Sequence, residues 1–198
     1  MQAAFQRVYL KIGQNRVLIV LTVLACAVLN TLVELINIPL RLPFFLDSIF
    51  TAVAGALFGI LPGLAAGLAT NLMMEVAHGM QGLYWQWALC NMATGAIVGL
   101  AVRLRRFDSI GDLLLVIFAV ALANAILGTI IATLVFGGLT TGNTIDSIVL
   151  GFMATGRSIV SSAFLGRIVS NLIDKAIAVG IAFLLYHFLR PDSDKASR

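Results

Sequence analysis

The feature that most constrains the fold is the recurrence of apolar stretches along the whole chain. Residues 17–36 form the first, twenty residues or about 30 Å of helix, which matches the hydrocarbon core of a bilayer. Of the 198 residues, 60% are hydrophobic and 11% are charged, whereas roughly 25% are charged in a soluble domain. Because the apolar stretches recur, a signal peptide followed by a soluble domain does not fit. The sequence predicts an integral membrane protein.

Turn-forming and charged residues divide these stretches into six predicted transmembrane helices, which make one all-α transmembrane domain over residues 1–198. The predicted helices cover about residues 17–36, 44–60, 63–77, 86–102, 113–136 and 171–189. Between the last two, glycine-rich and polar segments divide residues 137–170 into pieces too short to cross the bilayer. We expect a structured outer loop with short helices there.

The second and third predicted helices carry four glycines at a strict spacing of four residues. Gly55, Gly59, Gly63 and Gly67 would place small residues on one stripe of each helix, which lets membrane helices approach closely. Pro62 lacks an amide donor and restricts the residue before it, which disfavours one continuous helix. The pattern predicts two antiparallel helices joined by a tight turn at residues 61–63.

The distribution of basic residues predicts the orientation in the membrane. If both termini are cytoplasmic, nine of the thirteen Lys and Arg residues lie inside and four lie outside. The nine are Arg7, Lys11, Arg16, Arg103, Arg105, Arg106, Arg190, Lys195 and Arg198; the four are Arg41, Arg157, Arg167 and Lys175. The positive-inside rule therefore predicts a multi-pass protein of the cell membrane with cytoplasmic termini. The same rule accounts for the net charge of +4 without nucleic-acid binding.

With this topology, polar residues in or beside the helices fall mostly in the outer half, and the cytoplasmic half is almost purely apolar. Ionisable groups at membrane depth usually line a cavity or pair with one another. An outward-facing polar cup is what an extracellular small-molecule site requires. The predicted substrate-binding residues are Arg41, Asn71, Glu75, Tyr84, Trp85, Trp87, Asn91, Arg157 and Asn171.

Several of these residues also have a structural interpretation. For Arg157 we favour ligand binding, because it lies in an outer Gly-Arg-Ser segment against the positive-inside bias. Its guanidinium would bind an anionic ligand group or, in the structural interpretation, a carboxylate such as Glu75. The Tyr-Trp-Gln-Trp segment at residues 84–87 either anchors the interface or stacks a ligand ring, with Asn91 bonding its edge. Asn71 bonds either a neighbouring helix or the ligand.

Other polar residues are interpreted as structural in the first place. Asp47 follows Pro43 closely and can cap a helix as readily as it can contact a ligand. Glu34 and Arg41 can form an ion pair at the interface. Asp174 is expected in the first turn of the last helix, where a carboxylate complements the helix dipole.

Signatures of enzymes and metal sites are missing from the sequence. It contains no GxSxG, HExxH, Walker A or paired-cysteine motif. Cys26 and Cys90 lie in apolar stretches and are expected to be buried thiols. His78 has no second ligand at a suitable spacing. We expect no catalytic site, no metal and no cofactor, so any nucleotide hydrolysis would come from another chain.

Three segments resemble the substrate-binding S components of energy-coupling factor transporters. They are LDSIFTAVAGALFGILPGLAAGLATN (46–71), GLYWQWALCNMATGAIVGLAVR (82–103) and NLIDKAIAVGIAFLLY (171–186). The resemblance covers about residues 17–189. It implies capture of a small water-soluble vitamin or related micronutrient from outside. It also implies delivery with a transmembrane T component and two ATPase subunits. In the family the site uses outer loops one, three and five, which here correspond to Arg41 and to residues 75–91 and 157–171.

The first predicted helix departs from the family pattern. S components commonly dock through Ala-xxx-Ala on this helix, whereas here Ala25 is followed four residues later by Leu29. The nearest substitutes on this helix are Thr22 with Cys26 and Ala27 with Thr31, and the glycine stripe at residues 55–67 is a candidate to share the docking role. Two other functions are considered: a sensory or receptor membrane domain without transport activity, and a small intramembrane enzyme.

Overall fold

The computed structural model describes residues 2–40, 42–140 and 144–190, and these residues form α-helices, one short 3-10 helix and connecting loops, without a strand. The helices are α1 (Gln2–Gln14), α2 (Arg16–Leu40), α3 (Ile49–Phe58), α4 (Ile60–Ala77), the 3-10 helix (Trp85–Trp87), α5 (Ala88–Arg103), α6 (Ile110–Phe136), α7 (Thr144–Ala154) and α8 (Ile159–Leu189). The predicted all-α fold class is confirmed.

Five helical segments of the described chain are long and apolar enough to cross a membrane: α2, α4, the 3-10 helix with α5, α6, and α8. This is consistent with a multi-pass membrane protein. The predicted span at residues 44–60 is different, because its helix α3 has only 10 residues, or about 15 Å. Six full-length spans are therefore not confirmed, and the orientation of the termini stays a prediction.

The break between α3 and α4 occurs at Gly59 and not at residues 61–63 as predicted. Gly59 has φ 95° and ψ −173°, a conformation that suits a residue without a side chain. Pro62 lies in the first turn of α4, where an amide hydrogen has no partner within the helix, so proline is tolerated there. The proline therefore fits the helix start, and the glycine makes the turn.

Glycines also let α3, α4 and α5 meet backbone to backbone. A Cβ added to Gly55 would lie 2.4 Å from the carbonyl oxygen of Gly95, and one added to Gly63 would lie 2.7 Å from the same atom. A Cβ on Gly67 would lie 2.6 Å from the backbone of Asn91. We call the contact of Gly55, Gly63 and Gly95 the glycine junction. Three glycines of the stripe thus pack inside the bundle and are not part of an outer face, whereas a Cβ on Gly59 would meet no neighbour among the described residues.

The last helix, α8, begins at Ile159 and not at Asn171 as predicted. Gly156, with φ 84°, ends the preceding turn, and the Ser158 side chain caps α8 by accepting a hydrogen bond from the Ser161 amide, 3.3 Å away. Part of the expected outer loop is therefore the first third of a 31-residue helix. In the described part of this loop, α7 is the one short helix.

The N-terminal helix α1 and the C-terminal end of α8 meet at one end of the bundle, which we call the terminal end. The Gln6 amide donates to the carbonyl of Arg190 at 3.1 Å, and the Tyr9 hydroxyl donates to the carbonyl of Leu57 at 3.3 Å. Arg190 also pairs with Asp108 at 3.0 Å. Fully buried Phe107 and its apolar neighbours form a core cluster at this end. A second cavity, of about 530 Å³, lies beside it and is lined by Tyr9, Arg103 and Arg190 among others.

Candidate ligand-binding site

A cavity of about 550 Å³ lies at the opposite end of the bundle, bounded by α2, the 42–48 connection, α4, the start of α5, and α6 to α8. This volume is in the range of small-molecule sites. The charged and amide side chains in its wall are Glu34, Asn37, Asp47, Asn71, Asn124, Arg167, Asn171 and Lys175. Buried polar groups are thus concentrated in one half of the bundle.

Lys175 lies in the cavity wall and is neutralised by the protein itself. Its ammonium nitrogen lies 2.6 Å from the Asp174 carboxylate, 2.6 Å from the Ser48 hydroxyl and 4.0 Å from Asp47. The other Asp174 oxygen accepts the Leu46 amide at 2.7 Å. The sequence placed Asp174 in a first helical turn, but it lies in the middle of α8 and is fully buried. It ties α8 to the chain before α3.

An amide network fixes the wall between α4 and α5. Asn91 donates to the Asp47 carbonyl at 3.0 Å and to the Asn71 side-chain oxygen at 3.2 Å, and Asn71 donates to the Tyr84 carbonyl at 3.2 Å. Both asparagines are almost fully buried. Asn71 and Asn171 reach the cavity surface, whereas Asn91 lies behind it. Asn71 therefore makes the hydrogen bond to a neighbouring helix that its structural interpretation predicts. Its contact with a ligand stays a prediction.

Glu75 holds the loop over residues 78–87 and does not line the cavity. Its carboxylate accepts the amides of Gly82, of Tyr84 at 2.7 Å and of Trp85 at 3.1 Å. These contacts order the segment that brings Trp87 to the cavity. Glu75 acts on the site through this loop.

The predicted aromatic residues separate into two groups. Tyr84 and Trp87 line the cavity, whereas Trp85 is 55% exposed and lies outside it. Trp87 stacks on Phe136 with 5.7 Å between ring centroids, and Tyr84 stacks on His78 at 4.2 Å. Burial, followed by nearby carboxylates, raises the pKa of Tyr84, so its hydroxyl remains a hydrogen-bond donor at neutral pH.

The two arginines of the predicted outer half also differ. Arg157 is exposed between α7 and α8 and does not line the cavity. Arg167 is 2% exposed and does line it. Its guanidinium lies over the Trp87 ring, 5.6 Å from the centroid. Gly128 on α6 leaves the necessary space, because a Cβ there would lie 3.2 Å from the Arg167 Cδ.

Several cavity residues were not among the predicted binding residues, namely Glu34, Asn37, Asn124, Arg167 and Lys175. Asp47, which the sequence left open between a helix cap and a ligand contact, also lines the cavity. For some of these cavity residues, the spacing along a helix could have indicated that they share a face with another polar residue. Glu34 and Asn37 are three residues apart on α2, and Arg167 and Asn171 are four apart on α8, so each pair shares a face. Reading residues 159–170 as a loop concealed the second pair.

Arg41 lies outside the described residues, and its predicted role stays a prediction. Among the described His, Cys, Asp and Glu residues, no group of three could hold a metal ion. Comparisons with protein-family models, with curated proteins and with solved structures found no match.

Proposed function

We propose that this chain is the membrane-embedded substrate-binding subunit of an uptake system for a small water-soluble vitamin or related micronutrient. The supporting observation is the cavity, in which buried polar atoms of Glu34, Asn37 and Arg167 lack partners among the described residues. Such groups cost stability unless a ligand completes them. A second cavity of about 530 Å³ lies at the terminal end, but among the described residues none of the unpartnered buried side-chain atoms belongs to it.

The charge distribution supports capture from outside. Arg16, Arg103, Arg106 and Arg190 belong to the terminal end, which the positive-inside rule places at the cytoplasm. The cavity end then faces the exterior. A ligand would enter from that side and would need a further step to reach the cytoplasm.

Energy for that step would come from partners in trans, as the resemblance to S components implies. The chain has no Walker A motif, so a transmembrane T component and two ATPase subunits would drive delivery. Three glycines of the stripe are internal. The docking surface in this proposal is the outward side of α2, because S components commonly dock through this helix; Leu24, Val28 and Leu32 are exposed there.

The binding step is tested by purifying the full chain in lipid nanodiscs and identifying any retained compound by mass spectrometry. One small organic compound in stoichiometric amount is the expected result. Arg167→Gln should lose the compound, whereas Arg106→Gln, at the terminal end, should retain it. An empty protein that binds no member of a vitamin panel would overturn the proposal.

Transport is tested separately from binding. Cells that co-express this chain with a T component and its ATPases should accumulate the radiolabelled compound, and an ATPase variant unable to hydrolyse ATP should abolish accumulation. Tight binding without accumulation with any energising module would favour the receptor function.

A further inference from the structure

Arg167 is a buried cation with unused hydrogen-bonding capacity. Among the described residues, neither its Nε nor its Nη1 has a hydrogen-bond partner, although the side chain is only 2% exposed. Asp146 is the acid that acts on it electrostatically, but both carboxylate oxygens of Asp146 accept the Thr140 amide at 2.9 Å. A planar guanidinium in this state matches a carboxylate, which accepts two parallel hydrogen bonds.

Acceptors without donors lie on another wall of the same cavity. The Asn37 nitrogen donates to the carbonyls of Phe44 at 2.7 Å and Phe45 at 3.0 Å, which fixes the amide orientation. Its oxygen is buried and has no partner among the described residues, and the same holds for one carboxylate oxygen of Glu34. An acceptor pair that includes a carboxylate favours a cationic nitrogen with hydrogens to donate.

The two sets of groups lie on separate walls. Glu34 and Asn37 belong to α2, which packs on α3 and α4, whereas Arg167 belongs to α8, which packs on α3, α6 and α7. The Lys175 ammonium group is not counted among the groups free to bind a ligand, because it already pairs with the Asp174 carboxylate and donates to the Ser48 hydroxyl. The cavity therefore has an acceptor side on α2 and a donor side on α8.

Resting on the proposed function, we propose that the substrate of this site is amphoteric. It carries one carboxylate, which Arg167 binds, and one protonated amine or comparable cationic N–H group, which Glu34 and Asn37 bind. A compound with only one of these groups leaves the opposite wall with unpaired buried atoms, and so binds more weakly.

The test uses three probes of similar size on the full chain in nanodiscs. They are 4-(aminomethyl)benzoate, which is amphoteric, 4-(aminomethyl)benzamide, which is cationic, and 4-methylbenzoate, which is anionic. The expected result is that the amphoteric probe binds at least about 100-fold more tightly than either other probe. Equal affinities, or the tightest binding by a singly charged probe, would overturn the inference without any variant.

Two substitutions assign the two sides of the cavity. In Arg167→Gln, the amphoteric probe should no longer bind more tightly than the cationic probe. In Glu34→Gln, the amphoteric probe should no longer bind more tightly than the anionic probe. Arg106→Gln should change neither. If both cavity variants lose all three probes equally, or if neither changes the order, the assignment of the walls is wrong.

The identity of the naturally retained compound separates failure of this inference from failure of the proposed function. A retained compound with both a carboxylate and a basic nitrogen supports the inference. A retained neutral or singly charged compound overturns it and leaves the binding function intact. A protein that retains nothing and binds no probe or vitamin overturns both.

Discussion

The glycine junction and the cavity are both buried, and both use residues of α5, but they are built in opposite ways. At the junction, Gly55, Gly63 and Gly95 bring three backbones together with no side chain between them. In the cavity, Cys90 of α5 and Trp87 of the preceding 3-10 helix face open space together with charged side chains. One region has no room for a methyl group, and the other has room for a small molecule.

This difference indicates which region stabilises the protein and which one serves its function. Close packing of small residues strengthens helix association in a membrane. Buried polar atoms without hydrogen-bond partners lower the stability of a protein. We therefore interpret those of Arg167 as groups that bind a ligand. Substitutions at the junction should reduce stability, whereas those at the unpaired groups should reduce binding with little loss of stability.

The largest effect is expected at the junction. In Gly95→Ala, the new Cβ would lie 2.4 Å from the backbone carbon and oxygen of Gly63, so α4 and α5 must separate along their contact. We expect a loss of about 5 kcal/mol or more, which leaves little folded protein. Thermal unfolding in detergent, followed by size-exclusion chromatography, measures this loss.

Gly180→Ala is the matched control, because no atom lies within 4 Å of a Cβ at this α8 glycine. Alanine favours a helix over glycine by about 1 kcal/mol, so this variant should be as stable as the parent or more stable. Equal losses at Gly95 and Gly180 would show that the junction is not a special contact.

The second effect concerns the buried ion pair in the cavity wall. Lys175→Met would leave Asp174 buried without its cation, and breaking such a pair typically costs about 3–5 kcal/mol. Asp174→Asn combined with Lys175→Met removes both charges and should recover most of the loss. The midpoints of thermal unfolding of the single and double variants measure this coupling. A double variant that is less stable than Lys175→Met alone would contradict it.

The sequence predicted the helical fold because the long apolar stretches are local properties. It misplaced the turn after α3 and the start of α8 for a physical reason. Whether Gly59 or Pro62 makes the turn depends on the helices that pack around it. The serines, glycine and arginine in the first third of α8 resemble a loop in the sequence, and of these residues only Arg167 lines the cavity.

The candidate site was only partly predictable. The sequence favoured Arg157, because it lies in an outer Gly-Arg-Ser segment against the positive-inside bias. The burial of Arg167 depends on the space that Gly128 leaves on α6, 39 residues earlier in the chain. Such a contact between distant residues is not visible in local composition. Asn71 was predicted because a polar side chain at membrane depth is unusual, and Tyr84 and Trp87 because a cluster of aromatic residues at the interface could stack a ligand ring. Asn171 was predicted from its place in the polar outer half and from the resemblance to S components. All four line the cavity.

A smaller effect is expected at the loop that closes one side of the cavity. Glu75→Ala removes the acceptor for the amides of Tyr84 and Trp85, so residues 78–87 should become mobile. Cleavage in this loop by a protease should accelerate, and the unfolding midpoint should fall less than in Lys175→Met. Gln81→Ala, an exposed position in the same loop, should leave both measurements unchanged. Unchanged cleavage of Glu75→Ala would show that other contacts order the loop.

The smallest effect on stability is expected at Arg167, where the effect on binding should be largest. Arg167→Met removes a buried cation that lacks hydrogen-bond partners at two nitrogens among the described residues. The lost contact with the Trp87 ring is worth about 2 kcal/mol, because the pair is desolvated, and relief of the buried charge should offset it. The ligand-free variant should therefore unfold within about 1 kcal/mol of the parent protein while it no longer retains the compound. A large loss of stability in the ligand-free variant would instead place Arg167 with the glycine junction, as part of the frame.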